Sequence, residues 1–205
     1  MSAFLGPIHF MMYNKIQRQN NLLDDVINYI ESNSIIADFS AKLKEKYGEN
    51  EREALESVID QNAIHAWLNN QVNIAEGRLA YAVKLILEKD ESLFKNILDI
   101  FYNDGMQCRL EHADIIVVEE LFKVLNITLL DGMPCDGGII VLHNDGSEIL
   151  WEVNLQVHKP FYDNENMSLE QFFALRDKWL QGFFAGSFNI EYSYLGNNVF
   201  KIVEV

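Results

Sequence analysis

Four side chains able to bind a metal or activate a nucleophile fall in stretches that otherwise read as buried: His9, His65, Cys135 and His158. His9 lies three residues before Met12 and seven before Ile16, so it shares the apolar stripe of a helix. His65 stands in the same relation to Leu68 and Val72. Cys135 sits in the turn-rich segment "DGMPCDGG", and His158 ends an alternating strand-like run. Imidazole nitrogen and thiolate sulfur are good ligands for zinc, iron or copper. There is no C-x-x-C and no H-x-x-x-H, so a transition-metal site would need four separate elements to converge. The alternative is that each histidine is a hydrogen-bonded core residue and Cys135 a small buried apolar one. The other two histidines read as surface groups. His143 is placed at a hairpin tip opposite Glu148, and His112 at an exposed helix start.

Ligand binding has three further candidates: Glu76, Glu152 and Gln156. Glu76 lies four residues after Val72 in "NIAEGRLAYAV" and leans toward the buried stripe. A carboxylate facing a core needs a partner or a pocket. The adjacent Gly77 costs a helix up to ~1 kcal/mol against alanine, which points to close helix packing or to a ligand there. Glu152, Asn154, Gln156 and His158 alternate with Ile149, Trp151, Val153, Leu155 and Val157. They form either the solvated face of a sheet or, if helices cover that face, the polar wall of a cavity. Cys135 as a nucleophile would need a cation, a metal or a helix N-terminus beside it. Asp131 and Asp136 act the other way if they stay close.

The elements that must position these groups come in two styles. Residues 1–130 read as successive helices. The first opens at Pro7, which suits a first turn because it lacks an N–H. Ile35, Ile36, Phe39 and Leu43 mark a second, stopped by Gly48. Ile64 to Ile86 form a long third, Leu93 to Phe101 another, and Ile115 to Leu125 the last. After Asp131 the pattern becomes strand-like. "GGIIVLHNDGSEILWEVNLQVH" reads as a hairpin around Asp145-Gly146, which sets Ile140 opposite Trp151. Ser168 and Gln171 then make a capping box for a helix carrying Phe172, Leu175, Trp179 and Phe183, ended by Gly186. A second hairpin follows, with Ile190, Tyr192 and Tyr194 alternating. The expected fold class is α+β. One compact domain (1–205) joins an N-terminal multi-helix bundle (1–130) to a C-terminal ββαββ antiparallel layer (131–205).

A chain of 205 residues with 49% hydrophobic residues can bury a substantial core. Its net charge of -15 repels phosphate backbones and anionic headgroups, so neither nucleic acid nor a membrane is an expected partner. No apolar run approaches the roughly 18 residues of a bilayer span. "MSAFLGPIHFMMYNKI" has no basic start and no cleavage site of a signal peptide. Two cysteines make no disulfide framework, and both are expected to be reduced, in a cytoplasm. G-x-G-x-x-G, P-loop, G-x-S-x-G, H-E-x-x-H and EF-hand patterns do not occur.

"FLGPIHFMMYNKI", "IHAWLNNQVNIAEGRLAYAV" and "LLDGMPCDGG" with the later "VHKPFY" resemble segments of an uncharacterised family of bacterial cytoplasmic proteins. The resemblance spans most of the chain and implies no activity. The family often has a cysteine before the last histidine, which "LQVHKP" lacks. The order of helices followed by ββαββ is also similar to haem-nitric-oxide and vinyl-reductase-type ligand domains, in architecture only. The leading functional expectation is a small-molecule or metal-binding domain. Its pocket would lie between bundle and sheet, with His9, His65, Cys135 and His158 around a transition metal and Glu76, Glu152 and Gln156 toward a ligand. The others are an enzyme, such as a hydrolase, using Cys135 or Glu76 with a histidine, and an interaction module with an acidic surface or exposed sheet edge, including a homodimer.

Overall fold

The computed structural model describes residues 5–205; the first four residues of the N-terminal stretch lie outside them. Helix α1 (Pro7–Ser32) starts at the expected proline and buries Met12, Ile16, Leu23, Ile27 and Ile30 on one face. Helix α2 (Phe39–Tyr47) is stopped by Gly48 at φ 80°. Ile35 and Ile36 precede it in turns rather than joining it. A single turn, α3 (Leu55–Val58), leads to the long α4 (Ile64–Lys89). Helices α5 (Phe94–Glu111) and α6 (Val118–Thr128) complete the bundle. His112 therefore ends a helix, as the C-cap of α5, instead of starting one.

A short 3-10 turn (Pro134–Asp136) carries the chain into β1 (Ile139–Asn144) and β2 (Glu148–Val153). Their pairing is shifted from the sequence expectation, by one residue at Val141 and by two next to the turn. Val141, not Ile140, faces Trp151, and His143 faces Leu150. The turn centres on Gly146-Ser147, closed by a bond from Asp145 N–H to the Glu148 carbonyl. Glycine at φ 90° suits the first central position of such a turn. The Asp145 carboxylate accepts the N–H groups of Ser147 (3.0 Å) and Glu148 (2.8 Å), which fixes the shifted register. A bulge between Val141 and His143 takes up the remaining offset.

The strand expected to run on through Val157 stops at Val153. The Asn154 side chain accepts the Gln156 N–H (3.1 Å) and caps a helix, α7 (Leu155–Asn164). Leu155 and Val157 mimic strand alternation, and Pro160 inside the helix hides its helical pattern. Helix α8 (Glu170–Phe184) follows, with the Ser168 hydroxyl accepting the Glu170 N–H. Strands β3 (Ile190–Gly196) and β4 (Val199–Glu204) close the sheet, in the order β1-β2-β4-β3 and antiparallel throughout. The α+β class stands, and the C-terminal layer is ββααββ rather than ββαββ. One face of the sheet, with Ile149, Trp151, Val153, Phe200 and Ile202, is buried. Phe122 of α6 packs on Trp151 at 5.1 Å between ring centroids, and Phe173 of α8 on Phe200 at 6.3 Å.

Glycines let helices approach to backbone contact. A methyl group on Gly105 of α5 would lie 2.1 Å from the Trp179 carbonyl oxygen, and one on Gly182 of α8 would lie 2.0 Å from that of Tyr102. Gly77 is explained in the same way, since the Tyr47 ring of α2 covers it. Gly105→Ala and Gly182→Ala should each lower unfolding free energy by about 1–3 kcal/mol in urea titrations, although alanine is the better helix former.

Candidate functional site

Two groups of chemically capable residues emerge, and they share the loop that leaves α6. The first is an open cleft of about 490 Å3 between the start of α1, the start of α4 and the Met133–Asp136 turn. Ile8, Met12, Leu68, Met133 and Pro134 give it an apolar lining, and His9, His65, Asn69, Cys135 and Asp136 give it polar groups. His9 occupies the third position of α1, where its Nδ1 accepts the N–H of Gly6 (2.9 Å). An imidazole nitrogen that accepts is unprotonated, so the neutral ring of His9 carries its proton on Nε2. That atom is 3.3 Å from Nε2 of His65. His9 is thus the donor and His65 the acceptor, which leaves Nδ1–H of His65 as a donor. His9 is buried, whereas His65 and Cys135 are exposed. The Cys135 thiol faces the Asp136 carboxylate at 3.8 Å.

His158 is not in this cleft. It lies on α7, fully buried, and both its nitrogens are occupied: Nδ1 by Glu76 Oε2 (3.2 Å) and Nε2 by Asp131 Oδ1 (3.0 Å). Arg176 of α8 grips Asp131 with two bonds, Nη2 to Oδ1 (2.8 Å) and Nη1 to Oδ2 (3.1 Å). Gln19 of α1 donates to the other oxygen of Glu76 (3.3 Å), and Phe172 stacks on the His158 ring at 3.9 Å. The four expected metal ligands therefore do not converge. Among the described residues, no three of them bring ligand atoms within 4.8 Å of one another. The physical reason is local: a helix at 155–164 turns His158 inward, where a strand would have continued along the sheet. Of the three residues expected to face a ligand, Glu76 is sealed in the buried network. Glu152 is half-buried on β2 and Gln156 exposed on α7, and neither lines the cleft.

Sequence reasoning did not single out Asp131, Arg176, Lys15 or Gln19. Arg176 had a signal: it lies four after Phe172 and three before Trp179, on the apolar face of α8. Asp131 had none, because an aspartate between leucine and glycine reads as turn chemistry.

The electrostatics of the network follow from its burial. Burial alone would lower the His158 pKa, but the carboxylates of Glu76 and Asp131 outweigh it and raise it. Burial alone would raise Asp131, but Arg176 and His158 hold its carboxyl well below the usual range. Burial pushes the nearby Lys15 ammonium downward, partly offset by Asp131. With both carboxylates ionised, His158 and Arg176 as cations balance the charge of the group. A small cavity of about 50 Å3 adjoins it, lined in part by Arg18, Gln19, Phe101, Arg176 and Trp179. That is room for a few waters and little more.

Compared with protein-family models, curated proteins and solved structures, the chain matched none. No helix among the described residues is long and apolar enough to cross a membrane.

The buried network makes two predictions. Asp131→Asn should cost about 3–5 kcal/mol in chemical unfolding, because it leaves the buried Arg176 without a carboxylate partner and His158 with Glu76 alone. The His158 ring should carry both protons at neutral pH, seen in the nitrogen shifts of its imidazole. Its contribution to stability is full below the ordinary imidazole pKa of about 6.5 and is lost as pH rises through the raised native value. The contribution of Asp131 is full above about pH 3.9 and is lost as pH falls through its depressed native value. Unfolding free energy measured across pH should therefore decline on both sides of a mildly acidic plateau.

Proposed function

We propose that this chain is a small-molecule-binding domain whose ligand occupies the cleft between α1, α4 and the 133–136 turn. The observation that carries the reading is the His9–His65 pair, 3.3 Å apart in a cleft with a largely apolar lining. Binding sites characteristically combine an apolar wall with a few placed polar groups. The Gly6 N–H fixes the proton on His9 Nε2, which fixes the lone pair of His65, so His65 presents its other nitrogen as a donor. A net charge of -15 disfavours anionic ligands. The class that fits is a neutral molecule with an apolar body and an accepting group such as a carbonyl.

A second reading has one observation in its favour. A separation of 3.3 Å between the two Nε2 atoms matches the edge of a tetrahedron around a metal bonded to nitrogen at about 2.0–2.1 Å. It requires His9 to release Gly6 and move its proton to Nδ1, at the cost of a hydrogen bond. An enzyme built on Cys135 is less well supported, since the thiol faces a carboxylate and no histidine bonds to it. The Glu76–His158 pair is closed to solvent, with both ring nitrogens already bonded.

The test uses the neutral apolar dye Nile red. We expect one saturable site, with affinity reduced at least about tenfold when Ala66→Trp, at a residue lining the cleft, fills it, while the melting temperature stays unchanged. Equal affinity in a folded Ala66→Trp protein would dispose of the cleft as the site. Tight binding of zinc that is abolished by His9→Ala and His65→Ala would favour the metal reading.

A further inference from the structure

We propose that Cys108, Glu111 and His112 form a site for one divalent cation of the zinc class at the C-terminal end of α5. The thiol sulfur, a carboxylate oxygen and an imidazole nitrogen of these residues all lie within 4.8 Å of one another. Spacing of three and four residues sets the three side chains over one turn of helix. They are the one such group of three among the described residues. A sulfur, a nitrogen and an oxygen donor together select zinc or cobalt over magnesium or calcium, which take oxygen ligands.

The surroundings suit a cation. Carbonyl groups at the end of an 18-residue helix give that end a negative potential. Cys108 is fully buried, His112 half-buried and Glu111 exposed, so the site runs from a dry inner wall to an open side where a fourth ligand, water, can sit. Neighbours hold two of the donors in place. Arg109 donates to the carbonyls of His112 and, at 2.8 Å, of Ile115, which fixes the turn that carries the imidazole. Arg18 approaches Glu111 Oε2 at 3.4 Å, leaving Oε1 for the ion, and its charge is shared with Asp104. Binding exchanges the S–H bond for a sulfur–metal bond, and the proton leaves to solvent.

The experiment is a cobalt(II) titration of the metal-free full chain, read by the near-ultraviolet band that thiolate ligation gives to cobalt. We expect saturation at one equivalent and displacement by zinc. Cys108→Ser should remove the band, and His112→Ala should weaken binding at least about tenfold. Cys135→Ser and His65→Ala should leave both band and affinity unchanged, which separates this site from the cleft. The proposal is overturned if the wild-type chain gives no thiolate band, or if the band survives Cys108→Ser and disappears with Cys135→Ser. His112→Ala removes a half-exposed ring and can keep the fold, so unaltered cobalt affinity in that variant also overturns it.

Discussion

Two carboxylates and two cations shut inside a helical bundle constrain everything around them. Glu76, Asp131, His158 and Arg176 come from α4, the loop after α6, α7 and α8. A buried charge without a partner costs several kcal/mol, so these four segments are compatible with the native state only in one mutual arrangement. Apolar contacts set distance but not direction, whereas the two-bond grip of Arg176 on Asp131 fixes both.

The loop after α6 connects this interior to the surface. Asp131 points inward, to Arg176 and His158. The next residues turn at Gly132 (φ 69°), and the Asp136 carboxylate accepts the Met133 N–H at 2.8 Å, which pins the turn that displays Cys135 in the cleft. Gly138 then passes so close to the Asp131 carbonyl that a methyl group there would lie 2.0 Å from it. The clustering of aspartate, glycine and proline that marks this stretch thus has a double cause. One aspartate neutralises the core, the other shapes the wall of the cleft, and the glycines let the chain reverse between them.

How much of this was legible in the sequence depends on the range of the interaction. The helices of the N-terminal part follow from apolar spacing at three and four residues, and both hairpins from alternation around turn residues. Glu76 was found because a carboxylate next to a buried stripe demands a partner. His9 and His65 were found by the same rule applied to imidazoles. The partner of Glu76 was not legible, because 82 residues separate it from His158 and nothing in either segment encodes the other. His158 was assigned to a strand because Leu155 and Val157 continue the alternation of β2, while the Asn154 cap that ends the strand is a single side-chain bond. The register error in the first hairpin has the same origin: Asp145 decides the turn through bonds to Ser147 and Glu148, and hydrophobic pattern carries no trace of them.

The strand order β1-β2-β4-β3 has a consequence for how the molecule is made. β2 and β3 never touch as neighbours; each pairs with β4, which slots between them. Until residues 199–204 are in place, the edges of β2 and β3 that face them are unpaired and Trp151 lacks the stacked Phe200 ring. The four-stranded layer therefore cannot close before its last strand is available, and until then its unpaired margins are open to wrong partners.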